Sequence, residues 1–146
     1  MVLRDAGPED RAEWERLWEA YLSFYGKTLA PGVTASTWAR ALDPKVPLGL
    51  ILAEATDGSL SGFATYVVHP STWVAGDDIY LEDLYVDAAA RGQGLGRALI
   101  NTVARRGRGL DCTRLYWMAD EGNATARRLY ETYARPDGHL RYRFDL

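Results

Sequence analysis

The sequence has few residues of the kinds that bind metal ions or form disulfides. Cys112 is the only cysteine, and His69 and His139 are the only histidines. A single cysteine excludes an intrachain disulfide and a thiolate metal cluster, and two histidines complete a zinc site only with help from carboxylates. We therefore expect no metal centre.

The chain also lacks an excess of positive charge and a long apolar run. Its formal net charge is −3, whereas proteins that bind nucleic acid neutralise phosphates with a basic surface. No stretch approaches the roughly 20 apolar residues that cross a bilayer, and the opening MVLRDAGPED does not have the layout of a secretion signal. We expect no nucleic-acid partner, no membrane span and a cytoplasmic location.

What is present is typical of one folded domain. The 146 residues are 47% hydrophobic and 25% charged, as in ordinary globular proteins, and this length suits a single domain with a core. Residues 1–146 show no internal repeat, low-complexity tract or linker. They are predicted to form one domain.

Hydrophobic periodicity predicts an α/β chain of about six strands and four helices. The first third is mainly helical, and the middle changes to the two-residue period of strands. The predicted helices are 7–26, 33–43, 94–106 and 123–134, and the predicted strands are the apolar opening at 2–3, then 48–55, 61–68, 77–87, 113–120 and 139–144. Gly107 and Gly109 are predicted to end the third helix.

A glycine-rich loop lies between strand 77–87 and the third helix. Its sequence, RGQGLGRALI, begins at residue 91. Such a layout is typical of a phosphate site, because N–H groups at a helix start point at the anion and glycine lets the backbone approach closely. Neither common phosphate motif fits. Position 97 is arginine where a dinucleotide motif needs glycine, and the lysine of a P-loop is missing.

The run Arg91-Gly92-Gln93-Gly94-Leu95-Gly96 instead resembles the (Q/R)-x-x-G-x-(G/A) signature of the GCN5-related N-acetyltransferase (GNAT) superfamily. In that superfamily the loop binds the pyrophosphate of acetyl-coenzyme A. The flanking segments IYLEDLYVD and YWMADEGNATARRLYETYA resemble those of polyamine and diamine acetyltransferases and of the yeast histone and D-amino-acid acetyltransferases. The likeness is densest over residues 79–134, and the last strand matches weakly because the turn at 136–138 is trimmed.

The resemblance implies that residues 1–146 form one N-acetyltransferase domain with the GNAT fold. This fold, of the α/β (α+β) class, is a mixed central sheet of six to seven strands flanked by four helices. The resemblance also implies a V-shaped gap where strand 77–87 diverges from the next strand. Such enzymes commonly form dimers, so we expect a homodimer. The trimmed end leaves open whether the C-terminal segment is exchanged between subunits.

The resemblance makes acetyl-coenzyme A the co-substrate, with pantetheine in the gap and no metal. Arg97 would add charge to the pyrophosphate site, although a solvated helix arginine is the ordinary alternative. Asn123 would cap the last helix and contact pantetheine. The implied coenzyme-binding residues are Leu84, Tyr85, Val86, Arg91, Gly92, Gln93, Gly94, Leu95, Gly96, Arg97, Asn123 and Tyr130.

Acetyl transfer to an amine needs a base, because an amine of pKa about 10.4 is only about 0.1% neutral near pH 7.4. Glu82 and Asp83 lie in the centre of a long strand, where charges are disfavoured unless they face a cleft or a partner. Strand alternation directs them to opposite sides. The resemblance favours Glu82 as the base, through a water, with Asp83 structural or binding a second cationic group. A buried structural pair is the alternative.

The resemblance also implies that Tyr130 is the general acid for the coenzyme A thiolate, since it ends the run Asn-x-x-Ala-x-x-Leu-Tyr. A tyrosine can protonate a group of comparable pKa, although a helical tyrosine is otherwise most often part of the core. Main-chain amides near Leu84 would polarise the thioester carbonyl. Cys112 has no histidine near it in sequence, which favours direct transfer over an acetyl-cysteine intermediate.

Aromatic and acidic residues around the expected pocket suit a cationic acceptor, through charge pairing and cation–π contacts. The candidate substrate-binding residues are Glu82, Asp83, Tyr80 and Tyr25. A polyamine, diamine or amino acid is the first expectation, followed by a peptide or protein amine and then an aminoglycoside. A non-catalytic acyl-coenzyme A sensor and a protein that binds another phosphate ligand are the alternatives from other classes.

Overall fold

The computed structural model describes residues 1–146 and contains five strands and four α-helices. The strands are β1 (Val2–Asp5), β2 (Leu48–Glu54), β3 (Leu60–Pro70), β4 (Asp77–Val86) and β5 (Arg114–Trp117). The helices are α1 (Arg11–Phe24), α2 (Val33–Leu42), α3 (Leu95–Gly109) and α4 (Ala124–Tyr130). None of the helices has both the length and the apolar character that a bilayer span requires.

The strands form one mixed sheet in the order β1-β2-β3-β4-β5. Neighbours from β1 to β4 are antiparallel, and the predicted hairpin between β2 and β3 turns at Gly58, where φ is +86°. β4 and β5 are parallel, so they need a crossover, which α3 supplies. The predicted mixed α/β fold is confirmed.

Each face of the sheet buries its own core. One core packs α3 against β2, β3 and β4, and the other packs α1 and α2 against β2 and β3. The first contains Ile51, Ala53, Ala64, Tyr66, Ile79, Leu81, Leu95, Leu99, Ile100 and Val103. The second contains Trp14, Leu17, Trp18, Trp38, Leu50, Leu52, Leu60 and Phe63. The first core holds the first half of β4 through Ile79 and Leu81, whereas the second reaches β4 at Tyr85.

The strand predicted at residues 139–144 is wrong, because the segment after α4 contains no strand. The sheet of the single chain therefore has five strands instead of the six to seven expected. A strand exists only where its N–H and C=O groups pair with a neighbour. No backbone hydrogen bond joins this segment to the sheet, although its residues alternate as a strand does.

Several helix ends also differ from the prediction, and α1 begins at Arg11 instead of residue 7 because Pro8–Asp10 forms a separate 3-10 turn. α4 ends at Tyr130 instead of residue 134, and α3 continues through Gly107 to Gly109. Gly107 is buried against β4, where an added Cβ would lie 2.8 Å from Ile79 Cγ2. This glycine therefore lets the helix approach the sheet instead of ending the helix.

Replacing Gly107 by alanine is expected to lower the free energy of unfolding by about 1–3 kcal/mol, because the new methyl group overpacks the core at Ile79. Gly109→Ala is the matched control, since a Cβ there meets nothing within 4 Å. It is expected to change the free energy of unfolding by less than about 1 kcal/mol. Urea unfolding measures both, and a Gly107→Ala protein as stable as the wild type would contradict the packing argument.

Candidate active site

β4 and β5 diverge after Leu81. Their pairing runs from Asp78 opposite Arg114 to Leu81 opposite Trp117, whereas β4 stays paired with β3 as far as Val86. The second half of β4 therefore has a neighbouring strand on one side only. This is the V-shaped gap that the resemblance implies, and residues 84–86 form one of its walls.

A β-bulge marks the start of the gap. Thr65 pairs with Asp83 and Tyr66 pairs with Leu81, so Glu82 has no partner in β3. A bulge inserts one extra residue, bends the strand and increases its local twist. It accounts for the divergence of β4 from β5 at this point. It also interrupts the strict alternation on which we placed Glu82 and Asp83 on opposite sides of the strand.

The Asp83 carboxylate is occupied by partners within the chain. It accepts a hydrogen bond from the Tyr21 hydroxyl at 2.9 Å and another from the Thr65 hydroxyl. Burial raises the pKa of Asp83, and the two hydroxyl donors partly offset that rise. Asp83 thereby ties β4 to β3 and α1. Tyr21 was not among the predicted site residues, because its position in the aromatic stripe of α1 looks like an ordinary core position.

The Glu82 side chain is exposed and its carboxylate has no hydrogen-bond or ion-pair partner in the chain. Partial burial of the carboxylate, and next the charge of Asp83, raise the pKa of Glu82, whereas Arg141 opposes this rise. A free carboxylate with a raised pKa is closer to the range in which a general base operates. Of the two adjacent carboxylates, Glu82 is thus the one available to a ligand.

The glycine loop presents unpaired N–H groups at the start of α3. Gly92 and Gly94 have φ of +77° and +79°, a backbone region that favours glycine. The first hydrogen bond of α3 runs from Ala98 N–H to Gly94 O at 3.0 Å, and the N–H groups of residues 92–97 have no partner in the chain. A helix start with free donors suits a phosphate group. The residues present therefore fit the pyrophosphate of coenzyme A.

The two arginines beside the loop are held against aromatic rings. The Arg91 guanidinium lies 5.8 Å from the ring centroids of Phe24 and Tyr85, and its Nε donates to Val86 O at 3.1 Å. The Arg97 guanidinium lies 5.3 Å from the ring centroid of Tyr133. Neither forms an ion pair with a carboxylate in the chain. Both positive charges are therefore available to an anion at the loop.

Tyr130 lies at the end of α4 with its ring centroid 5.5 Å from that of Trp117. Burial, and next the neighbouring Tyr25, raise the pKa of Tyr130 to about 12. Its hydroxyl makes no hydrogen bond within the chain. At the other end of α4, the Asn123 side chain accepts from Ala126 N–H at 3.2 Å and caps the helix. α4 thus presents an unpaired, protonated hydroxyl.

A cavity of about 470 Å³ lies between the end of α1 and the loop before α4. Phe24 and Tyr25 line one side, and Asp120 and Asn123 are among the residues of the other. Burial raises the pKa of Tyr25, the Asn123 side chain opposes this rise, and the charges of Asp120 and Asp83 add to it. Sequence reasoning missed Phe24 and Asp120, because nothing in their local pattern separates them from ordinary surface residues.

Tyr80 lies apart from this cavity. Its ring stacks on that of Tyr116, with 4.9 Å between the ring centroids. His69 Nδ1 donates to Pro70 O, so in the neutral ring Nε2 accepts, and the Tyr116 hydroxyl donates to it at 2.7 Å. Among the predicted substrate-binding residues, the structure therefore brings Tyr25 toward Asp83, whereas Tyr80 packs on β5.

Residues 12–134 match the acetyltransferase (GNAT) family. The chain belongs to the GNAT family. It is an acetyltransferase, and the acetyl-coenzyme A used by this family is the co-substrate for which the glycine loop and the gap are suited. The family and the enzyme class that the glycine loop and its flanking segments indicate are confirmed.

The GNAT chain is 34% identical over 144 residues to the D-amino-acid N-acetyltransferase HPA3 of Saccharomyces cerevisiae. The aligned region covers 98% of this chain and 89% of the yeast protein. The chain is 37% identical over 76 residues to the thialysine N-epsilon-acetyltransferase of Bos taurus, covering 52% of this chain and 44% of the relative. The chain thus spans less than half the length of this second relative. A crystal structure of a probable acetyltransferase matches with a TM-score of 0.85 at 22% identity, covering 100% and 97% of the two chains, which shows the shared fold.

Proposed function

We propose that this GNAT protein transfers an acetyl group directly from acetyl-coenzyme A to the primary amine of a small cationic molecule, namely an amino acid, a diamine or a polyamine. The observation that carries the proposal is the free Glu82 carboxylate at the bulge where β4 leaves β5. The names of the two relatives, which specify a D-amino acid and thialysine, support an acceptor of this class.

Acetyl-coenzyme A, when bound, supplies the acetyl thioester. The N–H groups of residues 92–97 would hold its pyrophosphate, with charge from Arg91 and Arg97. The open side of β4 at Leu84, Tyr85 and Val86 has backbone groups for an extended pantetheine chain, as an exposed sheet edge does for an added strand. Asn123 would meet the same chain from the start of α4.

The proposed proton transfers use two groups of different pKa. Glu82, through a water, takes the proton of the acceptor ammonium, which must be neutral to attack. Tyr130 gives a proton from its hydroxyl to the departing thiolate, since a pKa of about 12 keeps that hydroxyl protonated at neutral pH. Asp83, through Tyr21 and Thr65, holds the bulge in place and is a positioning residue.

A cationic acceptor matches the chemistry of the cavity beside the gap. Asp120 supplies a carboxylate, and Phe24 and Tyr25 supply aromatic rings, a combination that binds ammonium groups. The negative charge of Asp83 acts on Tyr25 as well. Tyr80, which stacks on Tyr116 of β5, does not line this cavity. The absence of a metal requirement and the cytoplasmic location stay predictions.

Coenzyme A release by the purified protein tests the function directly. Acetyl-coenzyme A would be supplied with separate panels of D- and L-amino acids, diamines and polyamines, short peptides, and aminoglycosides. Release above the no-amine blank with the first three classes is the expected result. Turnover confined to peptides or aminoglycosides would reject the acceptor class, and tight binding of acetyl-coenzyme A without any turnover would favour a sensor.

Glu82→Gln is expected to lower kcat/KM at pH 7.5 by about 10²-fold, at the lower end of general-base effects. A base works only when deprotonated, so wild-type activity should fall as the pH drops through the Glu82 pKa, which burial and Asp83 raise. The variant should lose this acid limb and depend only on ionisation of the amine itself.

Asp83→Asn is the control that separates the two neighbouring carboxylates. The change removes a charge from the same segment but leaves Glu82 in place, so the acid limb of the pH profile should remain. Thermal stability should fall, because the hydrogen bonds that the Asp83 carboxylate accepts from Tyr21 and Thr65 are weakened. Complete pH profiles of kcat/KM measure both variants. An acid limb lost in Asp83→Asn and kept in Glu82→Gln would assign the base to Asp83.

A further inference from the structure

An arginine of α1 holds the segment that leads from β4 into the glycine loop. Arg16 is exposed on α1, and its guanidinium donates to the Asp87 carboxylate at 2.8 Å, across 71 positions of sequence. The same guanidinium donates to Leu60 O at 2.8 Å, and its Nε donates to Glu13 at 3.3 Å. One side chain thereby joins α1 to the start of β3 and to the residue that follows β4.

Asp87 is the first residue on the path from β4 to the loop. Its carboxylate also accepts from Ala89 N–H at 3.2 Å and caps the 3-10 turn Ala88–Ala90, and its own N–H donates to Ser61 O at 2.9 Å. The Arg16 guanidinium, and next the Ala89 N–H, hold the pKa of Asp87 below its usual range. Asp87 is therefore a fixed negative charge at neutral pH, just before a loop that suits an anion.

Arg91 lies close to this carboxylate but does not pair with it. The Arg91 Nε donates at 3.1 Å to Val86 O, the carbonyl directly before Asp87. The positive charge of Arg91 contributes to the lowered pKa of Asp87, yet the ion pair of Asp87 is with Arg16. The chain thus places a competing carboxylate beside an arginine of the loop and neutralises it with an arginine from another element.

We propose that Arg16 is a positioning residue for the coenzyme, which neutralises Asp87 and so keeps the Arg91 guanidinium free for the pyrophosphate. Without Arg16, Arg91 is the other cation that acts on Asp87. A pair between Arg91 and Asp87 would withdraw positive charge from the loop and leave a carboxylate near the phosphate oxygens. The inference rests on the proposed place of the pyrophosphate at the glycine loop and does not depend on the acceptor or on the proton transfers.

Isothermal titration with acetyl-coenzyme A tests this role. Arg16→Gln is expected to raise the Kd by about tenfold at low salt, the size of one lost charge-assisted hydrogen bond. The increase should shrink to about threefold or less in 0.5 M salt, since exposed charges are screened. Arg16→Lys keeps a positive charge beside Asp87 and should stay within about threefold of the wild type.

Arg11→Gln is the matched control for the loss of a positive charge from α1. Arg11 donates at 2.9 Å to Glu15 on the same helix, so its removal frees no carboxylate beside the loop. The Kd for acetyl-coenzyme A should stay within about twofold of the wild type, because long-range effects of one exposed charge are small. Circular dichroism checks that each variant is folded. Equal losses of affinity in Arg11→Gln and Arg16→Gln would overturn the proposal.

The double variant Arg16→Gln, Asp87→Asn separates neutralisation from mechanical support. It removes the freed charge, and an asparagine oxygen can still accept from Ala89 N–H, so the Kd should return to within about threefold of the wild type. Mechanical support predicts the opposite. The double variant would then bind no better than Arg16→Gln, because both lack the bonds from α1 to Leu60 and Asp87. That result, or an Arg16→Gln protein with the wild-type Kd, would overturn the proposal.

Gly94→Glu distinguishes a failure of this inference from a failure of the coenzyme site. If Gly94→Glu binds acetyl-coenzyme A as the wild type does, the pyrophosphate lies away from the loop and the role of Arg16 falls with it. If Gly94→Glu loses binding while Arg16→Gln keeps it, the loop holds the pyrophosphate and only the role of Arg16 is wrong.

Discussion

Tyr130→Phe is expected to lower kcat by about 10²–10⁴-fold, the usual size of a general-acid contribution, while the Kd for acetyl-coenzyme A stays within about twofold. The hydroxyl has no partner within the chain, and burial together with Tyr25 raises its pKa to about 12. It is therefore protonated across the physiological range and free to donate. Removing one oxygen atom takes away that proton and leaves the packing on Trp117.

Tyr133→Phe is the matched control for this change. It is the same substitution three residues later, at a hydroxyl that bonds to Asn101 Oδ1 and Arg97 O. It should cost about 1 kcal/mol of stability and leave kcat unchanged. Steady-state kinetics and isothermal titration with acetyl-coenzyme A measure the two variants side by side. Equal losses of kcat in both would show that Tyr130 acts through the packing of α4 instead of through proton transfer.

Gly94→Glu is expected to raise the Kd for acetyl-coenzyme A by at least about 10³-fold, or roughly 4 kcal/mol. Gly94 lies at the start of α3 with φ of +79° and with nothing within 4 Å of an added Cβ. A glutamate there places negative charge among the free N–H groups of residues 92–97. The carboxylate would take the donors that a pyrophosphate needs and would repel its charge.

Gly58→Glu separates this effect from backbone strain. Gly58 has φ of +86°, nothing within 4 Å of an added Cβ, and a place in the turn between β2 and β3. It should lose as much stability as Gly94→Glu, since both force a side chain into the left-handed region, but should keep the wild-type Kd. Binding of acetyl-coenzyme A by a folded Gly94→Glu protein at wild-type affinity would show that the pyrophosphate lies elsewhere.

The glycine loop could be predicted from sequence because its requirements are local. Positive φ at Gly92 and Gly94 and the helix that follows depend on residues within one short run. The gap beside β4 was predicted only from the family resemblance. Its physical cause, the bulge at Glu82, comes from the structure. The core-facing residues of β4 change phase at this point, from Ile79 and Leu81 to Leu84 and Val86, a local sign of the bulge that the assumption of strict alternation overlooked. The bulge depends on how Thr65 and Tyr66 of another strand pair with β4.

The other differences also come from contacts distant in sequence. Gly107 was interpreted as a helix end. The structure shows that its lack of a side chain lets α3 pack closely against Ile79 of β4. Residues 139–144 have the pattern of a strand, but the pattern alone cannot supply the strand that must pair with it. The involvement of Tyr21 with Asp83 joins α1 to the gap across 62 positions of sequence, which no local pattern shows.

Glu82 could be removed from β4 without loss of any pairing with β3. Leu81 and Asp83 already pair with consecutive residues of β3, Tyr66 and Thr65, so the ladder would be regular without the residue between them. Glu82 is thus surplus to the architecture. Without it, Asp83 would follow Leu81 directly and every other residue of β4 would keep its partner in β3. The residue that we propose as the base is therefore the one residue of β4 that contributes nothing to the pairing of β4 with β3.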